Sequence, residues 1–233
     1  MSPEKMIELV MSGKETDFSQ ELVSAFRNSF PIENLRPLLV SDDPAILSLG
    51  SYIIYELGPK ARCLIDDIVP HLGNSDPQIR GTAIIVLKEC ATKFDAFALG
   101  KVIKLLDDPD PFVQRIAMFF VQSCERAMLD VGVLKTAEMY PGTIFEELPN
   151  YLGKTIFRLR RARPVSVEIL RELLSDESPV ANRFGVGLAT RPRLVVDESF
   201  IALAAQVDDK ECRNVLKWSR ERPCLPYAEA MKL

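Results

Sequence analysis

The chain has 233 residues, 47% of them hydrophobic, with 33 Asp and Glu against 29 Lys and Arg. That apolar content supports a continuous core and excludes a disordered chain. No apolar run approaches the ~20 residues needed to cross a bilayer, and the start, Met-Ser-Pro-Glu-Lys, lacks the basic-then-apolar layout of a secretory signal, so a cytoplasmic protein is expected.

In chain order, residues 3–12 suit a short amphipathic helix with Met6, Leu9 and Val10 on one side. Gly13 and Lys14 end it. Asp17 can cap a second helix from Phe18 to about Phe30, with Leu22, Val23 and Phe26 facing inward and Pro31 closing it. This pair is expected to cover the open end of a repeat array, residues 1–30.

A repeat then begins. Pro44, Pro77 and Pro111 are spaced by 33 and 34 residues, and Pro179 follows 68 later, two periods on. The residue before each is Asp43, Asp76, Asp110 or Ser178, all good N-caps, and proline suits the first helical position. Five residues before the prolines stand Leu39, Leu72, Leu106 and Leu174. Six after them stand Gly50, Ala83, Ala117 and Gly185, and nine after them Ile53, Val86, Phe120 and Leu188. A small residue at one fixed helical site lets a neighbouring helix approach closely, and a period in the thirties with two helices per unit is the mark of an α-solenoid. Regular repeats are expected over 31–125.

Leu105-Leu106 ahead of the Asp-Pro turn, then Val113, Arg115 and Ala117, resembles the HEAT-repeat pattern, and Ile79-Arg80 with Ala83 matches it more closely. The resemblance covers 31–125 and, less fully, 164–190. Leu47 departs from it where a basic residue is favoured, and Ala181-Asn182-Arg183 with Gly185 is a weaker match. It implies an all-α fold, a right-handed α-α superhelix of about six helix pairs in a single domain spanning 1–233, and a binding scaffold as the usual role.

Residues 126–163 break the pattern. No Asp-Pro turn falls near 145. Met139-Tyr140-Pro141-Gly142 signals a turn, and a helix is expected through Phe145, Leu148, Leu152, Ile156 and Phe157. Repeats resume over 164–225, with a helix opened by Asp197 or Glu198 and a last one from about Lys210 to Arg220 that carries the only tryptophan, Trp218. Residues 226–233 form a tail.

Little in the chain suggests catalysis. The one histidine, His71, occupies a site where other repeats carry Leu38, Leu105 and Leu173, so a packed, hydrogen-bonded side chain is expected. Gly-rich phosphate loops and nucleophile elbows are absent. Cys63, Cys90, Cys124, Cys212 and Cys224 are odd in number and irregularly spaced, which suits free thiols in a reducing compartment better than disulfides or zinc. The acidic pairs Asp42-Asp43, Asp66-Asp67, Asp107-Asp108 and Asp208-Asp209 suit helix starts better than a cation. No catalytic residue, metal or cofactor is expected.

Charge is uneven. Residues 1–150 carry 14 Lys and Arg against 22 Asp and Glu, and residues 151–233 carry 15 against 11. Arg158, Arg160, Arg161 and Arg163 form a basic run, which suits a solvated face first, an acidic protein surface next and nucleic-acid phosphates last. On the second helix of each repeat, positions 4, 8 and 11 after the proline read Ser48, Tyr52, Tyr55; Gly81, Ile85, Lys88; Arg115, Phe119, Gln122; and Arg183, Gly187, Thr190. Tyr, Arg and Phe anchor protein interfaces. The candidate partner-binding residues are therefore Tyr52, Tyr55, Ile85, Lys88, Phe112, Arg115, Phe119, Arg158, Arg161 and Arg183, although core packing of Ile85 and Phe119 fits the same pattern.

The expected function is a non-enzymatic scaffold that binds and inhibits another protein, with no membrane role and a monomeric state by default. Some bacterial toxin-neutralising immunity proteins are built from such repeats, and an acidic front half would oppose a basic, nucleic-acid-degrading toxin. The alternative is a HEAT-like DNA glycosylase or a DNA-lesion binder, although nucleic acid is not the expected partner. The chain is similar to the HEAT-like alkylpurine DNA glycosylases in being small, all-α and repetitive. Those enzymes are basic and use tryptophans with an Asp and an Arg in a cleft, whereas this chain has one tryptophan and an acidic balance, and none of their active-site residues carries over.

Overall fold

The prolines at the repeat phase open helices for one local reason. Asp43, Asp76 and Asp110 each accept a 2.8 Å bond from the second backbone N–H beyond them, those of Ala45, Gln78 and Phe112. Those amides have no partner inside the helix, so each cap is worth about 1 kcal/mol. Ser178 makes no such side-chain bond. Its own N–H instead donates to Asp176, as the N–H of Asp110 does to Asp108 and that of Asp76 to Asn74.

A computed structural model of the chain describes residues 1–14, 18–41, 43–159, 167–191, 202 and 204–221, with side chains at all of these except 153–159, 167–170, 220 and 221. The protein is all-α, of the α-α superhelical kind, and no strand occurs among the described residues. Its contacts gather into two compact units, Met1–Thr92 and Lys93–Leu233.

The first unit runs α1 (Pro3–Met11), α2 (Ser19–Arg27), a 3-10 turn into α3 (Arg36–Leu39), α4 (Pro44–Leu57), α5 (Ile65–Ile68) between two 3-10 segments, and α6 (Pro77–Cys90). The sequence predicts two plain helices per repeat. The first members of these pairs are instead broken into α and 3-10 pieces. Pro59 and Pro70 lie in the 3-10 segments and lack the N–H that would extend an α ladder. Pairing within a repeat follows the small-residue rule. A Cβ at Gly50 would lie 2.9 Å from Leu38 Cβ and 3.2 Å from Leu39 Cδ2.

The second unit runs α7 (Ala96–Lys104), α8 (Pro111–Ser123), α9 (Arg126–Met139), α10 (Ile144–Leu159), α11 (Val167–Leu174), α12 (Pro179–Ala189) and α13 (Lys210–Glu221). Gly142, at φ +73°, makes the turn before α10. The helix expected from Asp197 through Ile201 and Leu203 lies largely outside the described residues, as does the 226–233 tail.

Spatial order in this unit departs from chain order. α9 packs beside α7, with Gly132 against Leu99 and the Thr136 hydroxyl donating to the Gly100 carbonyl at 3.0 Å. α10 packs on α9. The neighbour of α8 is α12, two periods away. A Cβ at Gly187 would lie 2.8 Å from Val121 Cβ and 3.1 Å from the Met118 carbonyl oxygen. The irregular repeat thus adds its first helix to the layer of first helices, and α12 takes the place beside α8.

A second repeat rule accompanies the caps. Three residues after the proline, Arg80, Gln114 and Asn182 each donate to the carbonyl of the residue three before it: Asn74 at 2.8 Å, Asp108 at 2.6 Å and Asp176 at 2.8 Å. These bonds tie the inter-helix turn to the second helix. Leu47, at this position in the first repeat, is buried instead.

Candidate interaction site

In the first unit the stripe begins on α4. Tyr52 is 36% exposed and its hydroxyl accepts from Gln20 on α2 at 2.9 Å. One turn on, half-buried Tyr55 has its phenol pKa raised, first by burial and then by the charges of Glu89 and Glu56. Glu56 takes a 2.7 Å ion pair from Arg27, and Lys88 is paired with Glu89 at 2.6 Å. The accessible surface is therefore two tyrosines beside two carboxylates, each ion-paired with a cation of the same unit. Ile85 is 6% exposed and belongs to the core, and Gly81 is buried as well.

In the second unit the same stripe is covered by the chain's own α13. Arg115 Nη1 donates to Glu211 at 2.7 Å, with both side chains nearly buried. The Arg115 guanidinium lies 5.2 Å from the Trp218 ring centroid and 5.6 Å from that of Phe112. Phe119 stacks on Trp218, and Gln122 donates to Ser219 and to the Thr190 carbonyl, both at 3.0 Å. Arg183 donates to Asp209 at 2.9 Å and to the Leu106 carbonyl at 2.8 Å. The other Asp209 oxygen accepts from the N–H groups of Glu211 and Cys212, capping α13. Arg191, just past α12, donates to the Val121 and Cys124 carbonyls.

Tyr52, Tyr55 and Lys88 thus share one surface with Glu56 and Glu89, while Phe112, Arg115, Phe119 and Arg183 meet around α13. Gly187 is a helix-packing position and presents no surface. Arg158 lies on α10 with its side chain undescribed, and Arg161 falls outside the described residues. Glu56, Glu89, Asp209 and Glu211 were not singled out from sequence as interaction residues. Their positions on α4, α6 and at the start of α13 carry the signal only once the helices are placed.

His71 donates through Nε2 to the Leu39 carbonyl at 2.7 Å, tying one repeat to the next. Asp67 pairs with Arg36, Asp107 with Lys104 and Asp208 with Arg213. Asp42 is outside the described residues. Cys90, Cys124 and Cys212 are buried free thiols and Cys63 is exposed; Cys224 is outside the described residues. Burial, then Asp209, pushes the Cys212 thiol well up. Among the described residues no three His, Cys, Asp or Glu side chains converge on a point that would hold a metal, and no described helix is long and apolar enough to cross a membrane.

No family profile and no curated protein matches the chain. Two crystal structures of engineered proteins from the Northeast Structural Genomics Consortium are similar in fold. One is 15% identical with a TM-score of 0.51, covering 95% of this chain and 98% of its own. The other is 17% identical with a TM-score of 0.48, covering 95% and 96%. The first places this all-α arrangement among known folds and carries no function.

Proposed function

We propose that the protein is a non-enzymatic binding scaffold of the HEAT-repeat type, which engages a basic partner protein through Tyr52, Tyr55, Glu56 and Glu89 and blocks it, as a toxin-neutralising immunity protein would. The observation that carries this is the tyrosine–carboxylate surface on the second helices of the first unit. Tyrosine supplies broad, stiff contact area at small entropic cost. Glu56 and Glu89 can exchange their Arg27 and Lys88 pairs for a partner's cations, and an acidic balance around them speeds encounter with such a partner. Residues 1–92 carry 8 Lys and Arg against 13 Asp and Glu, so the local field has the same sign.

The test is affinity capture from the native cells after nuclease treatment, with Tyr52→Ala/Tyr55→Ala run in parallel. A single stoichiometric partner, held by the unaltered chain and lost by the variant, is expected. Recovery of nucleic acid alone, and only when nuclease is omitted, would overturn the scaffold reading in favour of a DNA-binding role.

A further inference from the structure

The α8–α12 face holds a helix, and the helix it holds is an imperfect occupant. Arg115 and Arg183 stand at equivalent repeat positions, 68 residues apart in the chain. They receive Glu211 and Asp209, two carboxylates spaced by one residue. Trp218 follows Glu211 by seven residues, two helical turns, and stacks on Phe119. The receiving face therefore reads a defined register: two carboxylates at one end and an indole two turns on.

The fit is incomplete at its charged centre. Arg115 donates to Glu211 from Nη1, but its Nε is buried with no hydrogen-bond partner. Guanidinium and carboxylate pair best through two parallel bonds, and a buried donor left bare is costly. A carboxylate placed slightly differently would take both donors. In addition, much of α13's hold is polar. Its buried side chains are Glu211, Cys212, Val215 and Leu216, with Asn214, Trp218 and Ser219 half-buried and Lys210, Arg213 and Lys217 exposed. Such an element opens at lower free energy than the helices beneath it.

We propose that the α8–α12 face is a helix-docking site, that α13 is its built-in and exchangeable occupant, and that it admits an amphipathic helix of a partner protein carrying an Asp/Glu pair followed two turns later by an aromatic residue. Displacement of α13 would couple partner binding to release of the C-terminal segment. This goes beyond the scaffold reading, which concerns the first unit. The experiment below needs no natural partner, so the two can fail separately.

The probe is a fluorescein-labelled peptide of residues 206–221 with Cys212→Ala, titrated by anisotropy into the full chain. It competes with α13 for the face, so loosening α13 should favour it. Binding to the full-length Glu211→Gln/Trp218→Ala variant is expected to be at least about tenfold tighter than to the unaltered chain, and adding Arg115→Ala should abolish it. Equal binding to both chains, binding unaffected by Arg115→Ala, or no binding would overturn the proposal. Far-UV circular dichroism checks that the variants fold. Amide exchange on the unaltered chain gives a second reading: α13 should exchange roughly a hundredfold faster than mid-helix amides of α8 and α12, and exchange in step with them would make α13 a permanent core helix and overturn the proposal. Dimers of the unaltered chain that Arg115→Ala dissolves would assign the site to a second copy's α13 and overturn the choice of a different protein as partner.

Discussion

Phe119 and Trp218 stack with ring centroids 6.0 Å apart and planes within 11° of parallel. One is on α8 and the other on α13, so the pair reports directly on whether α13 is seated. Trp218 is the only tryptophan, which makes its emission a clean signal. Phe119→Ala should shift that emission to longer wavelength and destabilise the second unit by about 2–4 kcal/mol, since it removes the aromatic pair and leaves a cavity. Fluorescence-monitored urea unfolding checks both.

Arg115 and Glu211 should behave as a coupled pair. Their side chains are 15% and 9% exposed, so solvent screens them weakly. Arg115→Met alone strands a buried carboxylate, and Glu211→Gln alone strands a buried guanidinium. Each single change should cost more than the double change would suggest by addition, with a coupling of about 1–3 kcal/mol. A double-mutant cycle on urea unfolding measures it; additive costs would show that the pair contributes nothing specific.

Gly187→Ala tests the α8–α12 seam. The added methyl meets Val121 at 2.8 Å and the Met118 carbonyl at 3.1 Å, and overpacking of this kind costs about 1–3 kcal/mol. Gly73→Ala is the control, because nothing lies within 4 Å of its Cβ and its φ is not positive. Thermal unfolding should show a lower midpoint for the first and little change for the second.

The Cys212 thiol gives a pH signature. Burial holds its folded-state pKa above the ordinary value of 9.0. Above that value the unfolded chain releases the proton and the folded chain retains it, so the free energy of unfolding falls and the folded state loses stability as pH rises. Below it both states are protonated and the contribution is intact. The stability difference between the unaltered chain and Cys212→Ala should therefore shrink from about pH 8 to about pH 10. At neutral pH, iodoacetamide should label exposed Cys63 long before Cys212, as peptide mass mapping would show.

Much of this architecture was legible in the sequence because its rules are local. Asp76 before Pro77, Leu72 and Ala83 each act within one helix pair, and their spacing repeats. The tie from the third helical residue was not legible, because Arg80, Gln114 and Asn182 do one job with three chemistries and align as nothing. The seam at Gly187 escaped for a different reason: a 34-residue period implies that α8's neighbour comes one period later, yet α12 takes that place two periods on. The stripe on the second helices was readable from helical geometry, but its state was not. Whether Arg115 faces solvent or Glu211 depends on a helix 96 residues away, and nothing in the composition of α8 encodes it. Ile85 shows the converse: a residue at a stripe position is drawn inward because α6 is apolar on nearly every side.

The most direct measurement is the dissociation constant of the captured partner for the unaltered chain and for Glu56→Lys/Glu89→Lys, at low and moderate salt. Binding should be weakened by at least about tenfold in the variant, with the loss narrowing as salt screens the carboxylates. Equal affinity for both chains at both salt concentrations would contradict it, and would move the contact away from the tyrosine–carboxylate surface of α4 and α6.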